Sequence, residues 1–144
     1  MSTSYQTDIV SWANEQANYI RAGFFDKLDL EHLAQEIEDV GKSEQRELAS
    51  RMAVLLAHLL KWQFQPALRG SSWAATISVQ RERILRRIEQ TPSLRPMLTS
   101  EDWISDMWAD ARLDASKETG ISFNTFPNTC PWAMSDVLSN DWLP

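Results

Sequence analysis

Residues Leu30–Gln65 read LEHLAQEIEDVGKSEQRELASRMAVLLAHLLKWQFQ, and the spacing of their apolar positions decides the fold. Leu30, Leu33, Ile37 and Val40, then Leu48, Met52, Leu55, Leu59 and Trp62, recur close to the helical repeat. Gly41-Lys42-Ser43 interrupts this run with residues that suit a helix stop and a fresh N-cap. The apolar phase is the same on both sides of the interruption, which a flexible break would preserve only by chance. One continuous helix over about 30–65 is therefore expected. At roughly 1.5 Å per residue it spans about 54 Å. A compact domain of this length has a diameter nearer ~40 Å, so such a helix must protrude, bend or meet a second subunit.

Shorter helices flank it. Before it, Ile9, Trp12, Ala13, Ala17 and Ile20 recur at helical spacing, with Thr7 or Asp8 placed to cap the start and Gly23 to end it. FFDKLD then connects to the long helix, where Asp29 is the expected cap and Glu31 suits the positive end of the dipole. After it, Pro66 cannot continue a helix. Ser71 or Ser72 is the expected cap of a third helix that buries Trp73, Ile77, Ile84 and Ile88. TPSLRP reads as a single short turn, with Thr91 as cap and Pro92 in the first position. A fourth helix starts at Ser100, buries Ile104, Met107, Trp108 and Ala111, and stops at Gly120. The segment 121–144 holds too many large apolar residues for a free tail, so it is expected to dock, with one short helix from about Pro131 to Leu138.

Composition bounds the rest. With 144 residues the chain is long enough for one domain with a real core, so a single domain over 1–144 is expected. Hydrophobic residues at 43% and charged residues at 24% are globular values, and no apolar run is long enough for a membrane span. MSTSYQTD lacks the basic and apolar regions of a signal peptide, so a cytoplasmic address is expected. The single cysteine, Cys130, excludes an internal disulfide and a four-thiolate zinc site, and is read as packing. A net charge of -6 speaks against a general affinity for phosphate backbones, and nucleic acid is not the expected partner. Seven tryptophans supply large contact area for a core or an interface.

The string DLEHLAQEIEDVGKSEQRELASRMAVLLAHLLKWQFQP, followed by SSWAATI, TPSLRP, FPNTCPW and NDWLP, resembles the bacterial family catalogued as domain of unknown function 29. The resemblance covers about Tyr5 to Pro144. It implies a small all-helical bacterial protein with no assigned activity, and brings no catalytic or binding residues with it. Family members commonly read Glu-Glu where this chain has Gln35-Glu36, and Asn where it has His32.

Three polar groupings are candidates for chemistry. Glu44, Arg51 and His58 fall at spacings of seven inside the apolar arc of the long helix, with Glu47 one turn before Arg51. Buried charges require partners, so this stripe is either a register-fixing network, a pocket near Arg51 or His58, or the rim of the core. Fourteen residues put Glu44 and His58 about 21 Å apart on a straight helix, too far for one metal ion. His32, Glu36 and Asp39, at spacings of four and three, could hold a divalent ion at a helix surface, against the plainer reading of a solvated acidic face. Arg81, Arg83, Arg86 and Arg87, with Arg69 and Arg95 nearby, form the one basic region.

The expected architecture is all-α: a bundle of four main helices with a long central helix and a docked irregular C-terminal segment. No phosphate loop, nucleophile elbow or His-Glu-x-x-His motif is present, and no cofactor is implied. The leading reading is a non-enzymatic protein-interaction or scaffold module that associates with itself or with another protein. Its rivals are a small-ligand or metal-dependent enzyme using the polar stripe and, more weakly, a nucleic-acid-linked regulator using the arginines.

Overall fold

Asp8 is the N-cap of the first helix, α1 (Ile9–Ala22): its carboxylate accepts from the Ser11 amide at 3.1 Å and the Ser11 hydroxyl at 3.0 Å. Gly23 ends it at a positive φ of 79°, a backbone that disfavours any residue with a Cβ. In this computed structural model, which describes residues 3–144, the next long element is α2 (Leu30–Phe64), with Asp29 accepting from the His32 amide at its start. The first two residues of the expected 1–144 domain lie outside the described part. Gly41 sits within α2, and the helix runs through it without a break, as the preserved apolar phase predicts.

The remaining helices are α3 (Ser71–Gln90), α4 (Glu101–Thr119) and a single turn, α5 (Met134–Val137). The described residues contain no strand, so the fold is all-α. Ser100 caps α4 by accepting from the Trp103 amide, and Gly120 closes it at a φ of 77°. Two local expectations change. Gly70, rather than Ser71 or Ser72, occupies the N-cap of α3, so no side chain satisfies its first amides. TPSLRP extends beyond one turn into a 3-10 stretch, Pro92–Thr99, with Pro96 inside it.

The chain divides into two compact units, Met1–Glu44 and Gln45–Pro144. The second has a conventional apolar core, in which Leu48, Met52, Leu55, Leu56, Leu59 and Leu60 of α2 are fully buried. Ile77, Ile84 and Ile88 of α3 and Met107, Trp108 and Ala111 of α4 complete it. Trp73 and Ile104, expected in those faces, are only half-buried. The segment after Gly120 docks on this core through Phe126 and Val137, both buried, and through Trp132 and Trp142, whose rings lie 5.5 Å apart. Cys130 is a free, half-buried thiol in that segment, and burial raises its pKa.

The first unit is built differently. Only Trp12 and Gln16 of α1 are buried. The register read from Leu30 to Val40 is helical but does not form a core: Leu30, Ile37 and Val40 are 69%, 71% and 67% exposed. Periodicity identifies an apolar face; it carries no information about whether anything covers that face.

Candidate functional site

Within the first unit, an aromatic and polar clasp replaces an aliphatic core. Asp29 Oδ2 accepts from the Trp12 indole at 3.1 Å and faces His32 Nδ1 at 2.7 Å. The Asp29 amide donates to the buried Gln16 side chain at 2.8 Å. The Tyr5 ring stacks on His32 at 4.2 Å and meets Trp12 edge-on at 4.9 Å, while its hydroxyl donates to Glu36. These contacts set the local electrostatics: the hydrogen bond from His32 holds the Asp29 carboxyl below its ordinary range, and bonding to Glu36 raises the Tyr5 phenol. The sequence grouping His32, Glu36 and Asp39 is thereby divided. His32 turns to Asp29 and Glu36 to Tyr5, and among the described residues no three His, Cys, Asp or Glu side chains gather as a metal-binding group.

The polar stripe of α2 is divided too. Glu44, half-buried, belongs to the first unit. Arg51, in the second, pairs with Glu47 at 2.8 Å one turn earlier and bonds to Gln80 of α3 at 3.4 Å. Glu47 also meets Arg87 of α3 at 3.6 Å, so one carboxylate joins arginines from two helices. His58 Nδ1 donates to the Val54 carbonyl at 2.9 Å, which leaves Nε2 to accept from Lys61 at 3.4 Å. Burial lowers the His58 pKa and the Lys61 ammonium adds to this, outweighing the Val54 carbonyl and Glu118, which act in the opposite direction. Arg51 and His58, the two positions of the stripe expected to open a pocket, are held by backbone or adjacent side chains.

Lys61 was not anticipated. It is buried, ion-paired with Glu118 of α4, and its Nζ lies 5.4 Å from the centre of the Trp73 ring. Arg112 of α4 was also missed: its guanidinium covers Phe123 at 3.9 Å and donates to the Phe123 carbonyl and to Asn128. The signal was present in both cases, because Lys61 interrupts the apolar run from Val54 to Trp62, and Arg112 follows Trp108 and Ala111 on one face.

The arginines of α3 do not form one patch. Arg81 is buried, donating through Nε to the Val137 carbonyl at 2.8 Å and through Nη2 to the Trp142 carbonyl at 2.7 Å. Its place four residues after Ile77 and three before Ile84 puts it on the apolar face. Arg86 pairs with Glu82 at 2.6 Å and Arg87 with Glu47, leaving Arg83 exposed beside them. Arg69 donates to the Trp62 carbonyl at 2.6 Å, and Arg95 is exposed. A surface groove of about 380 Å³ in this unit is lined by Arg46, Ala49, Ser50, Asp110, Leu113 and Asp114, among others.

These features define an all-helical fold in which Arg51, Lys61 and Arg86 pair with carboxylates and Arg81 with backbone carbonyls. The chain belongs to the family described as domain of unknown function DUF29, which matches residues 4–143. No curated protein and no solved structure matches it. No helix among the described residues is long and apolar enough to cross a membrane.

Proposed function

We propose that this chain is a non-enzymatic protein-interaction module, in which the Gln45–Pro144 unit supplies the packed body and the Met1–Glu44 unit the contact surface. One observation carries the reading. Of the thirteen large apolar side chains exposed among the described residues, eight lie between Ile9 and Val40. A soluble protein leaves scattered apolar residues in water, but such a concentration in so short a segment marks a surface that another chain covers. The partnering of Arg51, His58, Lys61 and Glu47 within the second unit supports a packing role for the polar stripe.

Co-purification from the native cell tests this reading, with the tagged chain and an Ile37→Ser/Val40→Ser variant compared by quantitative mass spectrometry and light scattering. Both positions are exposed, so the variant is expected to fold. The reading expects a stoichiometric partner, a second copy or another protein, on the parent chain and its loss from the variant. A strictly monomeric parent with the same background proteins as the variant sinks it.

A further inference from the structure

Three cations are buried among the described residues, and they are not neutralised alike. Lys61 has the Glu118 carboxylate, whereas Arg81 and Arg112 meet only neutral acceptors. Arg81 is 2% exposed, with Nε on the Val137 carbonyl and Nη2 on the Trp142 carbonyl. Those two bonds leave Nη1 without an acceptor among the described residues, although a guanidinium carries five N–H donors. Carbonyl dipoles satisfy donors but do not cancel a unit charge, so a buried guanidinium held this way keeps a field that an anion would relieve. Burial lowers the pKa of the group, and no carboxylate acts against that shift.

Arg81 also borders open space. A cleft of about 180 Å³ runs between α3 and the C-terminal segment, with Ile77 and Arg81, each 2% exposed, as its floor. Ala74, Ser78, Asn140 and Leu143 form its rim and are exposed, so the cleft is reached from solvent. The Ser78 hydroxyl and the Asn140 amide add two donors there, neither held by another described side chain. At about 30 Å³ per water the cleft has room for roughly six waters, or for a headgroup on a chain of a few carbons. We propose that it binds a small organic monocarboxylate, with the carboxylate on Arg81, Ser78 and Asn140 and the aliphatic part against Ala74, Ile77 and Leu143. A dianion is the poorer occupant. The neighbouring groove shares Ser78 and Asn140 and carries Glu82 and Glu89, whose charges oppose a second negative charge, and phosphate has nothing to place on the apolar wall.

The cleft lies wholly within the Gln45–Pro144 unit, so this inference goes beyond the interaction reading and does not rest on it. Thermal-shift and NMR titrations of the full chain with butyrate, its neutral analogue butyramide and inorganic phosphate, at matched ionic strength, test it. Butyrate is expected to raise the melting temperature saturably, to shift the Ser78 and Asn140 amide resonances, and to bind at least about tenfold more tightly than either of the others. Ala74→Leu fills the cleft from an exposed position and leaves the two carbonyl bonds of Arg81 in place, so it should weaken butyrate at least about tenfold while the ligand-free melting temperature stays near the parent's. Arg81→Gln should erase the preference for butyrate over butyramide; if that variant does not fold, the ligand series and Ala74→Leu decide alone. Absence of saturable butyrate binding overturns the proposal, and so does butyramide or phosphate binding as tightly as butyrate. Unchanged butyrate binding by Ala74→Leu places the anion elsewhere and overturns it too.

Discussion

Lys61 of α2 and Glu118 of α4 form an ion pair whose two ends experience different surroundings: the lysine side chain is 7% exposed and the glutamate 55%. The desolvation is borne by the ammonium, which also touches His58 and the Trp73 face. The pair is therefore best described as an acidic side chain reaching in to neutralise a buried cation.

Removing the two partners should have unequal effects. Glu118→Gln strands the buried ammonium and is expected to destabilise by about 1 to 2 kcal/mol, limited because the glutamate end is solvated. Lys61→Met keeps the stem volume and removes the charge, so its loss should be under about 1 kcal/mol. Urea unfolding of the two variants measures the order, and an equal loss for both would show that the pair is not asymmetric.

The division of α2 into a buried and an exposed half has a direct readout. Leu59→Ala, in the fully buried part, should lower stability by about 2 to 5 kcal/mol. Ile37→Ala, on the same apolar register but exposed, should change it by less than about 0.5 kcal/mol. Thermal melts of the isolated variants suffice, and a large loss for Ile37→Ala would mean that this face is already covered.

Glycines divide in the same way. Gly41 lies inside a continuous helix with nothing within 4 Å of where a Cβ would stand, so Gly41→Ala should stabilise by roughly 0.5 to 1 kcal/mol. Gly120 has a φ of 77°, and Gly120→Ala should destabilise by about 1 kcal/mol despite equally open space. Denaturant midpoints of opposite sign for the two substitutions are the expected result.

His58 makes stability depend on pH. Its folded pKa is depressed, chiefly by burial, so the unfolded chain takes up a proton first as pH falls. The contribution is complete above the unfolded value of about 6.5 and is lost as pH drops through the lower folded value. The parent should thus lose stability between neutrality and mildly acidic pH more steeply than His58→Gln. Superimposable pH profiles for the two proteins would remove His58 from the account.

Much of this architecture is legible in the residues themselves because local chemistry determines it. Asp8, Asp29 and Ser100 cap where a short polar side chain precedes an apolar run, and Gly23 and Gly120 stop helices where only a positive φ closes them. Continuity through Gly41 follows from phase. What local pattern does not encode is the environment: Leu30 and Leu59 have the same periodicity, yet one is exposed and the other buried. The arginine grouping failed for a related reason. Arg81, Arg86 and Arg87 are neighbours in sequence, but their helical phases direct one to the Val137 and Trp142 carbonyls and the others to Glu82 and Glu47.

The Arg81 contacts also impose an order of events during synthesis. The guanidinium is ready once α3 has formed, but its acceptors lie 56 and 61 residues further along the chain. Until Val137 and Trp142 emerge from the ribosome, the α3 face carries a cation without its native acceptors beside Ile77, Ile84 and Ile88, and closing the core over it is costly. The nascent chain must therefore hold that face open to water while α4 is made. Completion of the 45–144 unit therefore depends on its last tryptophan.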